Sequence, residues 1–157
     1  MDDPANGRTF TEFEGTSAAA PLVAGAATLL ANVAHDRALA FGGVADATDG
    51  RVIRSVLLNS ADKIAGWDNG QHFDIFRGHV VTTQSLDWTQ GAGQVDFTRA
   101  FTQYIDPAGT HDVPGDGGGS VASDGFDLGA LTLGSRNDYA IASSQHANDI
   151  LDVTLTW

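Results

Sequence analysis

Apolar positions crowd one stretch of the chain and thin out elsewhere. Ser17 to about Ala34 holds Ala18, Ala19, Ala20, Leu22, Val23, Ala24, Ala26, Ala27, Leu29, Leu30 and Val33. Ala and Leu favour helix, and a helix apolar on nearly every face is expected to be buried. Thr16 or Ser17 suits the N-cap, where a hydroxyl accepts an unpaired first-turn amide. Pro21 fits only if the helix begins close before it, where at most one backbone bond is lost. A second helix is predicted from about Asp49 to Ala61. There Val52, Ile53, Val56, Leu57 and Ser60 share one side, and Arg51, Arg54 and Ser55 the other. Asp96 can cap a third, reaching about Tyr104, in which Phe97, Phe101 and Tyr104 recur at spacings of four and three.

The segments between these helices read differently. Residues 1–14 and 36–50 are rich in turn formers, and 62–90 show no period. Gly91-Ala92-Gly93 precedes a short strand-like Gln94-Val95. Composition breaks at Asp106: residues 106–125 contain two Pro and six Gly, the mark of a linker. Beyond it helical period vanishes. Leu151, Val153, Leu155 and Trp157 alternate with Asp152, Thr154 and Thr156, the pattern of a half-buried strand. Leu131–Leu133 and Tyr139–Ile141 are weaker strand candidates. The alternation stops at Trp157 with no turn signal, so the expectation is a β-domain cut short. The predicted fold class is α/β: helices near 17–34, 49–61 and 96–104 within residues 1–105, a linker over 106–125, and an incomplete antiparallel β-rich domain over 126–157.

Charge narrows the function. Eight Lys+Arg stand against 20 Asp+Glu, a net charge of −12, and Lys63 is the sole lysine. No basic stretch exists to dock on nucleic acid or an anionic membrane. Without cysteine, thiolate metal sites and cysteine nucleophiles are excluded. No run of about 18 apolar residues is expected to span a bilayer, and Met1 to Thr11 lack the apolar core of a signal peptide. At 157 residues the chain is one domain, or one plus a fragment, and can bury a core.

The most specific string is Glu14-Gly15-Thr16-Ser17-Ala18-Ala19-Ala20-Pro21-Leu22-Val23-Ala24-Gly25. It places a serine hydroxyl at the first turn of an apolar helix, where exposed amides and the positive helix end suit a developing oxyanion. Gly15 permits close approach of a substrate backbone. The plainer reading is a Ser/Thr cap on an Ala-rich core helix.

That string resembles the nucleophile signature of the subtilisin-like serine proteases, the subtilases, and Gly15 to Gly25 match it throughout. Val52 to Ala61 resembles the amphipathic helix that follows the serine helix in that family. Gly91 to Asp96, with Ala100 after it, resembles the segment closing the catalytic domain. Leu151 to Trp157 is similar to a strand of a β-sandwich that some secreted subtilases append. The resemblance implies serine endopeptidase activity on a polypeptide substrate, with Ser17 as nucleophile and its own backbone N–H as an oxyanion donor. Gly15, Thr16 and Pro21 support the motif. It also implies secretion. Subtilases order their triad Asp, His, Ser along the chain, yet no histidine precedes Ser17 and no asparagine upstream stands far enough away for the oxyanion hole. The expectation is therefore the C-terminal part of a protease, inactive alone.

No other residue substitutes for the missing base. His35 lies 18 positions along, about 27 Å away on a continuous helix. His111, in the Gly-rich linker, would need a permuted triad. His72 and His79 flank Asp74, but no third ligand at suitable spacing supports a metal, and His146 sits in a polar stretch. Asp106, Asp112, Asp116, Asp124 and Asp127 offer hard oxygen ligands, and many subtilases bind calcium, but the twelve-residue calcium loop is not matched. No cofactor is needed for the chemistry, and oligomeric state is not legible. The competing function is a non-catalytic β-rich binding or structural module with an Ala-rich core helix.

Overall fold

A computed structural model describes residues 2–3, 8–9, 15–41, 45–104, 117–121, 124–141, 146 and 151–157. Near the start, β1 (Asp2–Asp3) pairs antiparallel with β2 (Arg8–Thr9). The helix α1 runs over Thr16–Phe41, longer than the expected 17–34, and continues into the segment read as a connection. A 3-10 turn at Ala45–Thr48 leads into α2, Gly50–Asn59. A hairpin follows, β3 (His72–Asp74) antiparallel to β4 (His79–Val81), and then α3, Phe97–Thr102. Last come β5 (Gly119–Val121) and β6 (Tyr139–Ile141).

The helical starts follow from side-chain chemistry. Asp49 caps α2 by accepting from the Arg51 amide at 2.8 Å, and Asp96 caps α3 by accepting from the Arg99 amide at 2.9 Å. At α1 the cap falls one residue earlier than expected. The Gly15 carbonyl accepts from Ala18 and Ala19 at 3.0 and 3.1 Å, so Thr16 and Ser17 are already inside the first turn.

The core forms where α1, the 3-10 turn, α2 and α3 meet. Leu30 and Ala34 of α1 pack with Ala47, with Val52, Ile53 and Val56 of α2, and with Ala100 and Tyr104. This is the inward side expected for α2, with Arg51 and Arg54 exposed opposite. Tyr104 donates its buried hydroxyl to the Ala47 carbonyl at 3.2 Å and stacks on Phe126 at 5.2 Å. Burial holds that phenol well above its ordinary pKa.

Three expectations need correction. The first concerns α1, which is not buried all round: Ala26, Leu30 and Ala34 face the core, while Leu22 and Leu29 remain 62% and 65% exposed. Neighbouring elements cover only one stripe of it. Thr16–Asp36 is also long and apolar enough to cross a membrane by length and composition, with 17% of that stretch buried. The expectation that no run is long enough to span a bilayer is thereby corrected: Thr28 and Asn32 interrupt the apolar residues, but the stretch as a whole stays apolar.

The second correction lies in the C-terminal region. The β5–β6 pair is parallel, not antiparallel, and all of β5 lies within the expected linker of residues 106–125. Leu131–Leu133 forms no strand; Thr132 and Ser135 close a turn there instead. The third is the orientation of Leu151–Trp157. The segment forms no strand, and its threonines, rather than its apolar residues, face the protein.

Candidate active site

Gly15 sets the geometry at the head of α1. Its φ of +84° lies in the left-handed region that favours glycine, and a Cβ there would meet nothing within 4 Å, so backbone conformation alone demands it. The chain turns at this residue and enters the helix at Thr16. Because the first intrahelical bond reaches back from Ala19 to Gly15, the amides of Thr16 and Ser17 have no helical acceptor. Both sit at the positive end of a 26-residue helix.

Ser17 is exposed, and among the described residues its hydroxyl has no hydrogen-bond partner. Pro21 lies inside the helix and has no N–H to donate to the Ser17 carbonyl four residues earlier. The cost is the single bond foreseen, because the helix starts only five residues before it. Gly15, Thr16, Ser17 and Pro21 are thus brought together as one exposed helical head. An anion or developing oxyanion placed there would meet free amides and the helix dipole.

The histidines lie elsewhere. His35 is exposed far along α1. His72 and His79 sit on the exposed hairpin, their Nδ1 atoms 3.0 Å from the Gly70 carbonyl and 3.1 Å from the Arg77 carbonyl. His146 is exposed, and His111 falls outside the described residues. Among the described residues no cluster of three or more His, Asp or Glu could hold a metal. Of the acidic residues considered for calcium, Asp106, Asp112 and Asp116 lie outside the described residues. Asp127 is committed to a loop: its Oδ2 accepts from the Gly117 and Gly118 amides at 3.0 and 3.2 Å and from the Tyr139 hydroxyl at 2.8 Å.

Behind the helices, residues 62–94 are held by polar contacts that periodicity does not reveal. Asp62 and Gln94 exchange backbone bonds at 2.8 and 2.9 Å, which places Gln94 as expected but in a single bridge. Asp87 accepts from the amides of Asp68, Thr89 and Gln90 and from the Thr89 hydroxyl, at 2.6 to 2.8 Å. These donors, the Thr89 hydroxyl foremost, hold its carboxyl well below the usual range. Trp67 donates its indole N–H to the Gly91 carbonyl at 2.9 Å. The sequence signal for Asp87 was available: Asp followed two residues later by Thr is a turn in which the carboxylate caps its own backbone.

Among the described residues, two clefts stand out, and Ser17 lines neither. One, of about 260 Å³, lies between α1 and α3 and is lined by Leu29, Leu30, Phe97 and Phe101. The other, of about 430 Å³, is walled by Arg54, Lys63, Trp67 and residues 152–157.

The model of the subtilase family matches residues 2–93, more than half of the chain. The chain belongs to the subtilase family of serine peptidases. No curated protein and no solved structure matches it significantly.

Proposed function

We propose that this chain carries the nucleophile side of a subtilase active site and acts, once completed, as a serine endopeptidase. Ser17 Oγ attacks the scissile peptide carbonyl and its proton passes to a histidine base. The oxyanion of the tetrahedral intermediate is met by the Ser17 backbone N–H at the head of α1. The base then returns the proton to the leaving amine, and water releases the acyl group. One observation carries this reading: an exposed serine with no hydrogen-bond partner among the described residues, at the head of a long helix, within the region matched by the subtilase family.

In this reading a complementary segment supplies the triad's histidine and aspartate and the second oxyanion donor, and Ser17 becomes reactive only when that segment is assembled around it. The substrate is a polypeptide, no metal takes part in bond cleavage, and secretion fits the family. Residues 1–105 form the catalytic part. The residues after 125, in which β6 is the one named strand among the described residues, form an appended region.

Labelling with a serine-directed fluorophosphonate tests the reading. The Ser17 oxygen displaces fluoride from phosphorus only when a base and an oxyanion hole are assembled around it. The expected result is labelling of Ser17 in a protein that includes the complementary segment, and none in the 157 residues alone. Absence of labelling in both leaves Ser17 as a first-turn residue of a packing helix and favours the non-catalytic module.

A further inference from the structure

Leu151–Trp157 is held on α2 through its threonine side chains. Thr154 Oγ1 donates to Asn59 Oδ1 at 3.0 Å, and Thr156 Oγ1 donates to the Arg51 carbonyl at 3.3 Å. Thr156 also shares a short hydrogen bond with Ser55 Oγ. Arg51, Ser55 and Asn59 recur every four residues, so they form one stripe along the helix. The opposite row is open: Leu151, Val153, Leu155 and Trp157 are 58%, 76%, 78% and 95% exposed. Among the described residues, no backbone hydrogen bond joins 151–157 to anything.

We propose that Leu151–Trp157 is a two-position strap, docked on the α2 stripe in one state and paired as a third strand on the free edge of β6 in the other. The reasons are energetic and topological. A hydroxyl bond to protein replaces one to water, so its net worth is small, whereas each large apolar side chain withdrawn from water contributes more. The α2 position satisfies three hydroxyl contacts and leaves four apolar side chains wet. The β6 position sets those side chains beside Tyr139 and Ile141 across the strand pair, and it gives the backbone of the segment hydrogen-bond partners.

The partner strand fits. β5 and β6 pair over only three residues each, and a lone two-stranded pair is marginal in water. Tyr139 and Ile141 stand on one face of β6, 48% and 41% exposed, at the spacing that meets an alternating neighbour. Nine residues, 142–150, join β6 to the strap, which is ample for the chain to turn back and run antiparallel beside it.

Amide hydrogen exchange on the whole 157-residue chain tests the strap. Thr154→Val with Thr156→Val removes the hydroxyl contacts to α2 and suits a strand equally well or better. The expected result is exchange at least tenfold slower over both 139–141 and 151–157 in the double variant than in the parent. Adding Val153→Pro, which removes a donor from the paired strand, returns both segments to the parent rate. Unchanged exchange over the two segments in the double variant overturns the proposal. So does protection that survives Val153→Pro.

Discussion

Gly93 and Asp49 each hold a junction that the rest of the chain depends on. Gly93 has φ +118°, and a Cβ there would sit on the Asp62 carbonyl, the atom that receives the Gln94 amide. Gly93→Ala combines left-handed strain with that collision. It should cost at least about 1–3 kcal/mol, read as a lower denaturation midpoint; an unchanged midpoint would mean the Asp62–Gln94 bridge contributes little. Asp49 is held at about 2 rather than 3.8, first by the Arg51 guanidinium bond and then by the Arg51 amide. A carboxyl whose folded value is depressed stabilises the fold above its unfolded value and loses that contribution as pH falls toward the folded one. The α2 start should therefore loosen between about pH 4 and about pH 2. Circular dichroism should show less of that acid-induced loss in Asp49→Asn, which keeps a capping oxygen but does not titrate. Identical acid profiles would assign the loss to other carboxylates.

Among the elements, α1 divides into a working face and an open one. Leu30 is 3% exposed within the core, and Leu29 beside it is 65% exposed. Leu30→Ala should cost about 2–5 kcal/mol through lost burial and a cavity, while Leu29→Ala should stay within about 0.5 kcal/mol. Equal losses at both positions would show that something covers the open face in solution. Much at this scale was legible in advance. The buried row of α2, the Asp96 cap of α3 and the existence of α1 all follow from spacing and side-chain chemistry. The burial of α1 did not, because an all-apolar helix carries no period to say which stripe its neighbours cover. The β3–β4 hairpin also escaped: three-residue strands are too short for alternation to register, and their turn is closed by the Asp74 carboxylate accepting from the Phe76 and Arg77 amides. In Leu151–Trp157 the alternation was visible and its direction was not, since period two is the same whichever row faces inward.

For the whole molecule, a net charge of −12 is self-repulsion that salt can screen. The screening length falls from about 10 Å at 0.1 M to about 3 Å at 1 M, so the thermal midpoint should rise with sodium chloride over that range. A flat or falling midpoint would show that ion pairs such as Arg99–Asp62, at 3.0 Å, outweigh the excess of carboxylates. Gly15, Thr16, Ser17 and Pro21 were legible as one helix head because such a head is built from neighbours in sequence. A base and an acid were not legible, because no histidine precedes Ser17 in these residues. The central claim is that Ser17 becomes a nucleophile only when those partners are supplied. Its most direct test is fluorophosphonate labelling of two purified proteins, the 157 residues alone and the same residues extended by the reading frame ahead of Met1. The account predicts label on Ser17 in the extended protein and none in the shorter one. Label on neither, or equal label on both, would contradict it.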